Sequence, residues 1–191
     1  MIRRLVTSAL VGCIALSAAK AEGASSREDY WGGIAYTHKR LGDFDESLNG
    51  GSLLFLSTLL PKTDETDRAA GFGMSADISY MTKDDVTSLT LDLLLGYQWA
   101  RKDKWSFLLG AGVGYHDWSV DDGTGLGGAD FPLLLGADWT IGLSKSARVM
   151  FGYRRDFGDD PELSAGGITR LHPDLSGDRF TVGFIFDWWG K

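Results

Sequence analysis

From Leu89 the chain alternates large apolar residues with small or polar ones at a period of two. Leu89, Leu91, Leu93, Leu95, Tyr97 and Trp99 share one parity; Thr90, Asp92, Leu94, Gly96 and Gln98 share the other. The next segment sets Trp105, Phe107, Leu109, Ala111, Val113 and Tyr115 against Ser106, Leu108, Gly110, Gly112, Gly114 and His116. The same alternation returns in 72–80, 131–143, 149–153 and 180–188. Side chains of a strand point to alternate faces, so this period predicts β-strands, and helical periodicity is absent. Strands are predicted at about 30–39, 52–60, 70–81, 87–99, 105–119, 130–143, 147–157 and 178–189. The second of them contains Leu53-Leu54-Phe55-Leu56, which does not alternate, so its faces stay unassigned.

One face of these strands is aliphatic with aromatic residues at its ends. The other is Gly, Ser, Thr, Asp and Arg. A core of glycine and charge would pack poorly and desolvate badly. A band of Leu, Val, Ala and Phe bounded by Trp and Tyr is instead the lipid-facing surface of a transmembrane barrel. The expected fold is therefore all-β, an eight-stranded antiparallel up-and-down transmembrane β-barrel whose small, polar face lines the lumen. Closure leaves no unpaired edge in lipid. Short turns at 100–104 and 144–146 and a moderate one at 61–69 alternate with connections that include the longest, at 40–51, 82–86, 120–129 and 158–177, which are the expected outer loops.

The N-terminus reads as an address. Met1 to Arg4 are basic, Leu5 to Ala19 are apolar, and Ala19-Lys20-Ala21 is a cleavage site of the A-x-A type. Residues 1–21 are predicted to be a signal peptide and 22–191 the barrel domain, secreted across the inner membrane to a Gram-negative outer membrane. An uncleaved anchor, or lipidation of Cys13 in Leu10-Val11-Gly12-Cys13, are the alternatives. Removing the leader takes the basic residues from 19 to 16 against 26 acidic ones. Such an acidic chain argues against nucleic acid as a partner. A single Cys excludes a disulfide scaffold and a multi-thiolate metal site.

By its last strand the mature chain resembles the small eight-stranded outer-membrane barrels of the OmpA/OmpX-like and opacity-type group. Thr181-x-Gly183-x-x-Phe186-x-Trp188 is similar to the C-terminal signal read by the outer-membrane assembly machinery, although Trp189-Gly190-Lys191 follow it here. The resemblance implies outer-membrane lipid, lipopolysaccharide and that machinery as partners. It names no surface partner and no cofactor. It leaves three functions open: an envelope or surface-interaction protein without catalysis, a small passive channel, and a lipid A-modifying enzyme.

Candidate chemistry is sparse. Gly110-Ala111-Gly112-Val113-Gly114 has the look of a phosphate loop but sits inside a strand with no helix after it. His116 and Ser119, the residue types of a hydrolase, fall on opposite faces of one strand. Acidic residues recur in the expected outer loops: Asp43, Asp45 and Glu46; Asp84 and Asp85; Asp121, Asp122 and Asp130; Asp159, Asp160 and Glu162. They complete no calcium ligand set, though they could bridge to lipopolysaccharide phosphates through divalent cations. The lumen-facing charges are the most informative set: Asp77, Asp92, Asp138, Arg148, Arg154, Asp156, Arg179 and Asp187, with His116 neutral. An eight-stranded lumen is just filled by side chains, so these charges should pair. The expected register of the last hairpin sets Asp156 opposite Arg179 and Arg148 opposite Asp187. It also sets Tyr153 against Val182 and Phe151 against Phe184.

Overall fold

The computed structural model describes residues 26–41, 47–61, 68–101, 104–121, 126–157, 163–165, 169–171 and 177–187. The predicted signal peptide, Cys13 and Trp188 lie outside the described residues. Long strands follow one another: β1 (Ser26–Leu41), β2 (Ser47–Pro61), β3 (Arg68–Lys83), β4 (Val86–Arg101) and β5 (Trp105–Val120). Then come β6 (Leu126–Asp130), β7 (Leu133–Gly142), β8 (Ala147–Phe157), β9 (Leu163–Ala165), β10 (Thr169–Leu171) and β11 (Gly177–Asp187). Each long strand pairs antiparallel with its neighbours, and β1 pairs with β11 to close the ring.

The ring has eight staves because β6 and β7 are two halves of one. Both pair with β5 in one continuous register, from Val120↔Leu126 to Trp105↔Ile141. Pro132 interrupts the ladder between them, since proline has no N–H to contribute. Its carbonyl still accepts a hydrogen bond from Gly114 N at 2.9 Å. The expected 120–129 loop therefore contains strand as well. Within the expected loop at 158–177, β9 and β10 form a small hairpin, and β9 pairs with β6 beyond the barrel. The connection between β3 and β4 is only a two-residue turn, with Asp84 in the left-handed region at φ 49°, a conformation that aspartate tolerates better than most residues.

The alternation places the faces as expected. Leu89, Leu95, Leu109, Val113, Leu133, Leu135, Phe151 and Phe184 are exposed on the outside. Leu93 faces Val113 directly in the middle of the β4–β5 ladder. Aromatic residues form a girdle toward the end that carries the short turns. Tyr97 lies 4.9 Å from Trp99, Trp99 6.1 Å from Phe107, and Trp139 5.9 Å from Phe151. For β2 the structure supplies what alternation could not: Leu53 and Phe55 face out, and Ser52, Leu54 and Leu56 face in.

The lumen differs from the expected polar lining by containing two apolar layers. Trp31, Leu54, Leu56, Leu94, Leu108, Met150 and Ile185 pack together toward the short-turn end. Leu41, Leu48, Met81 and Trp118 pack toward the loop end. These residues sit on the small-residue face because a narrow barrel needs volume as well as polarity in its interior.

The last hairpin overturns the expected register. Arg179 faces Arg154, Asp178 faces Arg155, and Ile185 faces Arg148. This is a slip of two residues, which keeps every side chain on its predicted face. Asp156 is thus not opposite Arg179, nor Arg148 opposite Asp187; Tyr153 faces Phe180 and Phe151 faces Val182. The observed register brings outward Asp178 to outward Arg155. It also leaves inward Arg179 and Arg154 side by side, a like-charge contact that holds because carboxylates reach them from elsewhere in the ring.

Candidate functional site: a charged layer inside the barrel

Three cations lie in one lateral row on the inner wall. Lys39 on β1 faces Arg179 on β11, which faces Arg154 on β8. On the far wall Asp77 of β3 faces Asp92 of β4, a pairing of like charges. β11 and β4 are four staves apart in either direction around the ring, and so are β8 and β3. Side chains from opposite walls nevertheless meet. Arg179 Nη2 donates to Asp92 Oδ2 and, at 3.3 Å, to Asp77 Oδ2, while its Nη1 donates to Thr90 Oγ1 at 2.8 Å. Arg154 Nε lies 4.0 Å from Asp77 Oδ2.

Arg154 also makes a bidentate contact within its own wall. Its Nη1 and Nη2 donate to Asp138 Oδ1 and Oδ2 at 2.7 and 2.8 Å, and Ser75 Oγ donates to the same carboxylate at 2.5 Å. Asp156 accepts from Lys39 Nζ at 2.5 Å, reaching past β11. Arg148 lies apart from this layer, its guanidinium 4.2 Å over the Trp31 ring. Asp187 ends β11 at the short-turn end and is only partly buried. Among the described residues, four cations and four carboxylates are buried: Lys39, Arg148, Arg154 and Arg179 with Asp77, Asp92, Asp138 and Asp156. Such a balance lets charges share a low-dielectric interior.

Two residues that inspection of the sequence left out belong here. Lys39 falls on the small-residue face of β1, with Gly33, Ala35 and Thr37, and that parity was available to find it. Asp130 was grouped with the loop acids, yet Trp118 Nε1 donates to it at 3.2 Å. His116 is fully buried between them, its Nε2 3.0 Å from Asp92 Oδ1. Glycines vacate the space these groups occupy. A Cβ on Gly114 would lie 2.6 Å from Asp92 Oδ1 and 2.9 Å from His116 Nε2; one on Gly136 would lie 2.7 Å from Arg154 Cδ.

The other candidates separate. Gly110–Gly114 runs within β5, and no helix follows to cradle a phosphate. His116 is buried inside while Asp117 and Ser119 are exposed outside, so they do not converge. Asp84, Asp85 and Asp121 are exposed at the loop end. Asp43, Asp45, Glu46, Asp122, Asp159, Asp160 and Glu162 lie outside the described residues. Among the described residues no group of three or more His, Cys, Asp or Glu side chains is arranged to hold a metal. Of the terminal-strand motif, Thr181 is buried in the lumen, Phe186 is exposed on the outer face, and Gly183 packs against Ala35 of β1.

A closed ring of eight antiparallel staves, apolar outside and charged within, defines the fold of the small outer-membrane β-barrels. No protein-family model matches the sequence, and no curated protein does. Solved structures do. Neisserial surface protein A matches with a TM-score of 0.59 at 12% identity, over 85% of this chain and 99% of that one. OprG of Pseudomonas aeruginosa gives 0.55 at 12% identity, over 87% and 99%. Ail, the attachment invasion locus protein of Yersinia pestis solved with the heparin analogue sucrose octasulfate, gives 0.53 at 10% identity, over 84% and 97%. At these identities the likeness is one of fold.

Proposed function

We propose that this chain is a non-enzymatic outer-membrane β-barrel whose lumen is closed by the charged layer and which serves envelope structure or surface interaction. A signal peptide at residues 1–21 carries it across the inner membrane, and the terminal strand presents Thr181, Gly183, Phe186 and Trp188 to the assembly machinery. Lipid and lipopolysaccharide surround it. The observation that supports closure most directly is the reach of Arg179 across the barrel to Asp92 and Asp77. Apolar side chains pack on both sides of that contact. Breaking it would strand buried charge, which disfavours spontaneous opening.

Conductance across a planar bilayer is the test. The intact chain should give no steady ohmic current, and Arg179→Ala should raise the conductance. A steady current through the unaltered protein would overturn closure in favour of the passive channel. A change in lipid A acylation on deleting the gene would instead point to an enzyme.

A further inference from the structure

The outer surface carries a second row of charges at the loop end. Arg40 on β1 faces Asp178 on β11, which faces Arg155 on β8. Their parity is that of Ile34, Tyr36, Phe151, Tyr153, Phe180 and Val182, so all three point away from the lumen. His38 stands one outward position below Arg40 and touches Asn49, its Nδ1 2.9 Å from Oδ1. Exposed aromatics bracket the row: Tyr36, Tyr153 and Phe180 on the side of the apolar band, and Phe157 beyond it. Aromatic residues at a barrel rim mark the depth of the lipid head groups. The guanidinium groups of Arg40 and Arg155 therefore stand at head-group depth.

The geometry of the row is that of a cation pair with a brace. Asp178 accepts from Arg155 Nη1 at 2.8 Å and from Tyr153 OH at 2.7 Å. That holds the Arg155 guanidinium in place while engaging only part of its five-donor fork. The Arg155 side chain remains 44% exposed. Arg40 is exposed and faces the same Asp178 across the β1–β11 ladder. Elsewhere on the rim the sign reverses. Asp84, Asp85, Asp117 and Asp121 are exposed around the β3–β4 turn and the end of β5, with Asp121 N donating to Asp85 O at 2.7 Å. Basic and acidic residues thus occupy different sectors of one rim; aromatics stand beside both, with Tyr80 and Phe131 near the acidic one.

We propose that Arg40 and Arg155, braced by Asp178 and flanked by His38, bind a phosphate on the head group of an outer-leaflet lipid. A guanidinium fork matches the oxygens of a phosphate and keeps its charge at any physiological pH. The rings of Tyr36, Tyr153 and Phe180, on the side of the apolar band, give a lipid's acyl region a surface to pack on, which favours a phosphate carried on a lipid over one free in solution. This inference rests on the outer-membrane reading, and its test separates the two.

The full chain is refolded in detergent micelles, and the shift of its unheated band on a gel confirms the closed barrel. Binding is then followed by isothermal titration calorimetry with three probes: diphosphorylated lipid A, the same lipid with its phosphates removed, and inorganic phosphate. Tight binding is expected for the first alone. Arg40→Gln should weaken it about tenfold while leaving the Arg155–Asp178 pair in place, and Arg40→Gln with Arg155→Gln should weaken it further. Asp117→Asn, in the acidic sector, should leave binding unchanged. Equal affinity for the dephosphorylated lipid, equal binding of inorganic phosphate, or an unchanged double variant would each overturn the site while the barrel reading stands. Failure to form the heat-shifted band would overturn that reading itself.

Discussion

Arg154 and Arg155 are neighbours in the chain and face opposite environments. Arg154 points into the barrel and contacts Asp138 at 2.7 Å, with side-chain exposures of 4% and 1%. Arg155 points outward and contacts Asp178 at 2.8 Å, with exposures of 44% and 30%. The distances are nearly the same and the energetics are not. Removing one partner of a buried pair strands a charge in low dielectric, at a cost of about 3–5 kcal/mol. An exposed pair contributes about 0–1 kcal/mol, because water solvates either partner alone. The inner pair thus sets a penalty on rearranging the lumen, whereas the outer pair leaves its arginine available to a ligand.

The strongest way to break this comparison is to delete one acid from each pair. Asp138→Ala should destabilise the refolded barrel by about 3–5 kcal/mol in urea unfolding followed by tryptophan fluorescence. Asp178→Ala should cost about 0–1 kcal/mol in the same assay. Equal losses would show that burial does not separate the two. The outer face itself is tested by depth: Leu93→Arg, opposite Val113, should cost about 2–4 kcal/mol, and Leu89→Arg, four residues nearer the loop rim, about 0–1 kcal/mol. Similar costs at both would mean the apolar band is placed wrongly.

A gentler change sharpens the inner half. Replacing both partners, Asp138→Leu with Arg154→Met, removes the pair without stranding either charge. Most of the loss caused by Asp138→Ala should be recovered, because well-packed apolar side chains often replace a buried pair at little cost. Retention of the full loss would place the energy in the hydrogen bonds that Ser75 makes to this pair. The smallest effect concerns salt. The contribution of Arg155, measured by Arg155→Gln, should fade between low salt and about 1 M, where the screening length is about 3 Å. The cost of Asp138→Ala should hardly change over that range, since buried pairs are screened much less.

Much of the inner site is legible in the sequence. Asp77, Asp92, Asp138, Arg148, Arg154, Asp156 and Arg179 all have the parity of the small face, and the structure buries all seven inside. Lys39 was equally legible by parity. Its carboxylate partner was not, because Asp156 sits two staves away and more than a hundred residues along the chain. The inward leucines of β2 were hidden by a run of apolar residues that suits either face. The apolar layers they help to build follow from packing in a narrow lumen, which no single strand reveals.

The sequence by itself determined that the chain makes strands, about where they lie, and for most of them which face meets lipid. Those properties depend on neighbouring residues, and a period of two records them directly. The register of the closing hairpin was decided only by the tertiary structure. A slip of two residues preserves every face, so the alternation is equally satisfied by Arg179 opposite Asp156 and by Arg179 opposite Arg154. Closure of the ring selects the second, because it brings Asp92 and Asp77 across the lumen to Arg179 and Asp138 alongside Arg154. Which charges meet inside a barrel depends on how all eight staves stagger together, and that is a property of the closed sheet rather than of any one strand.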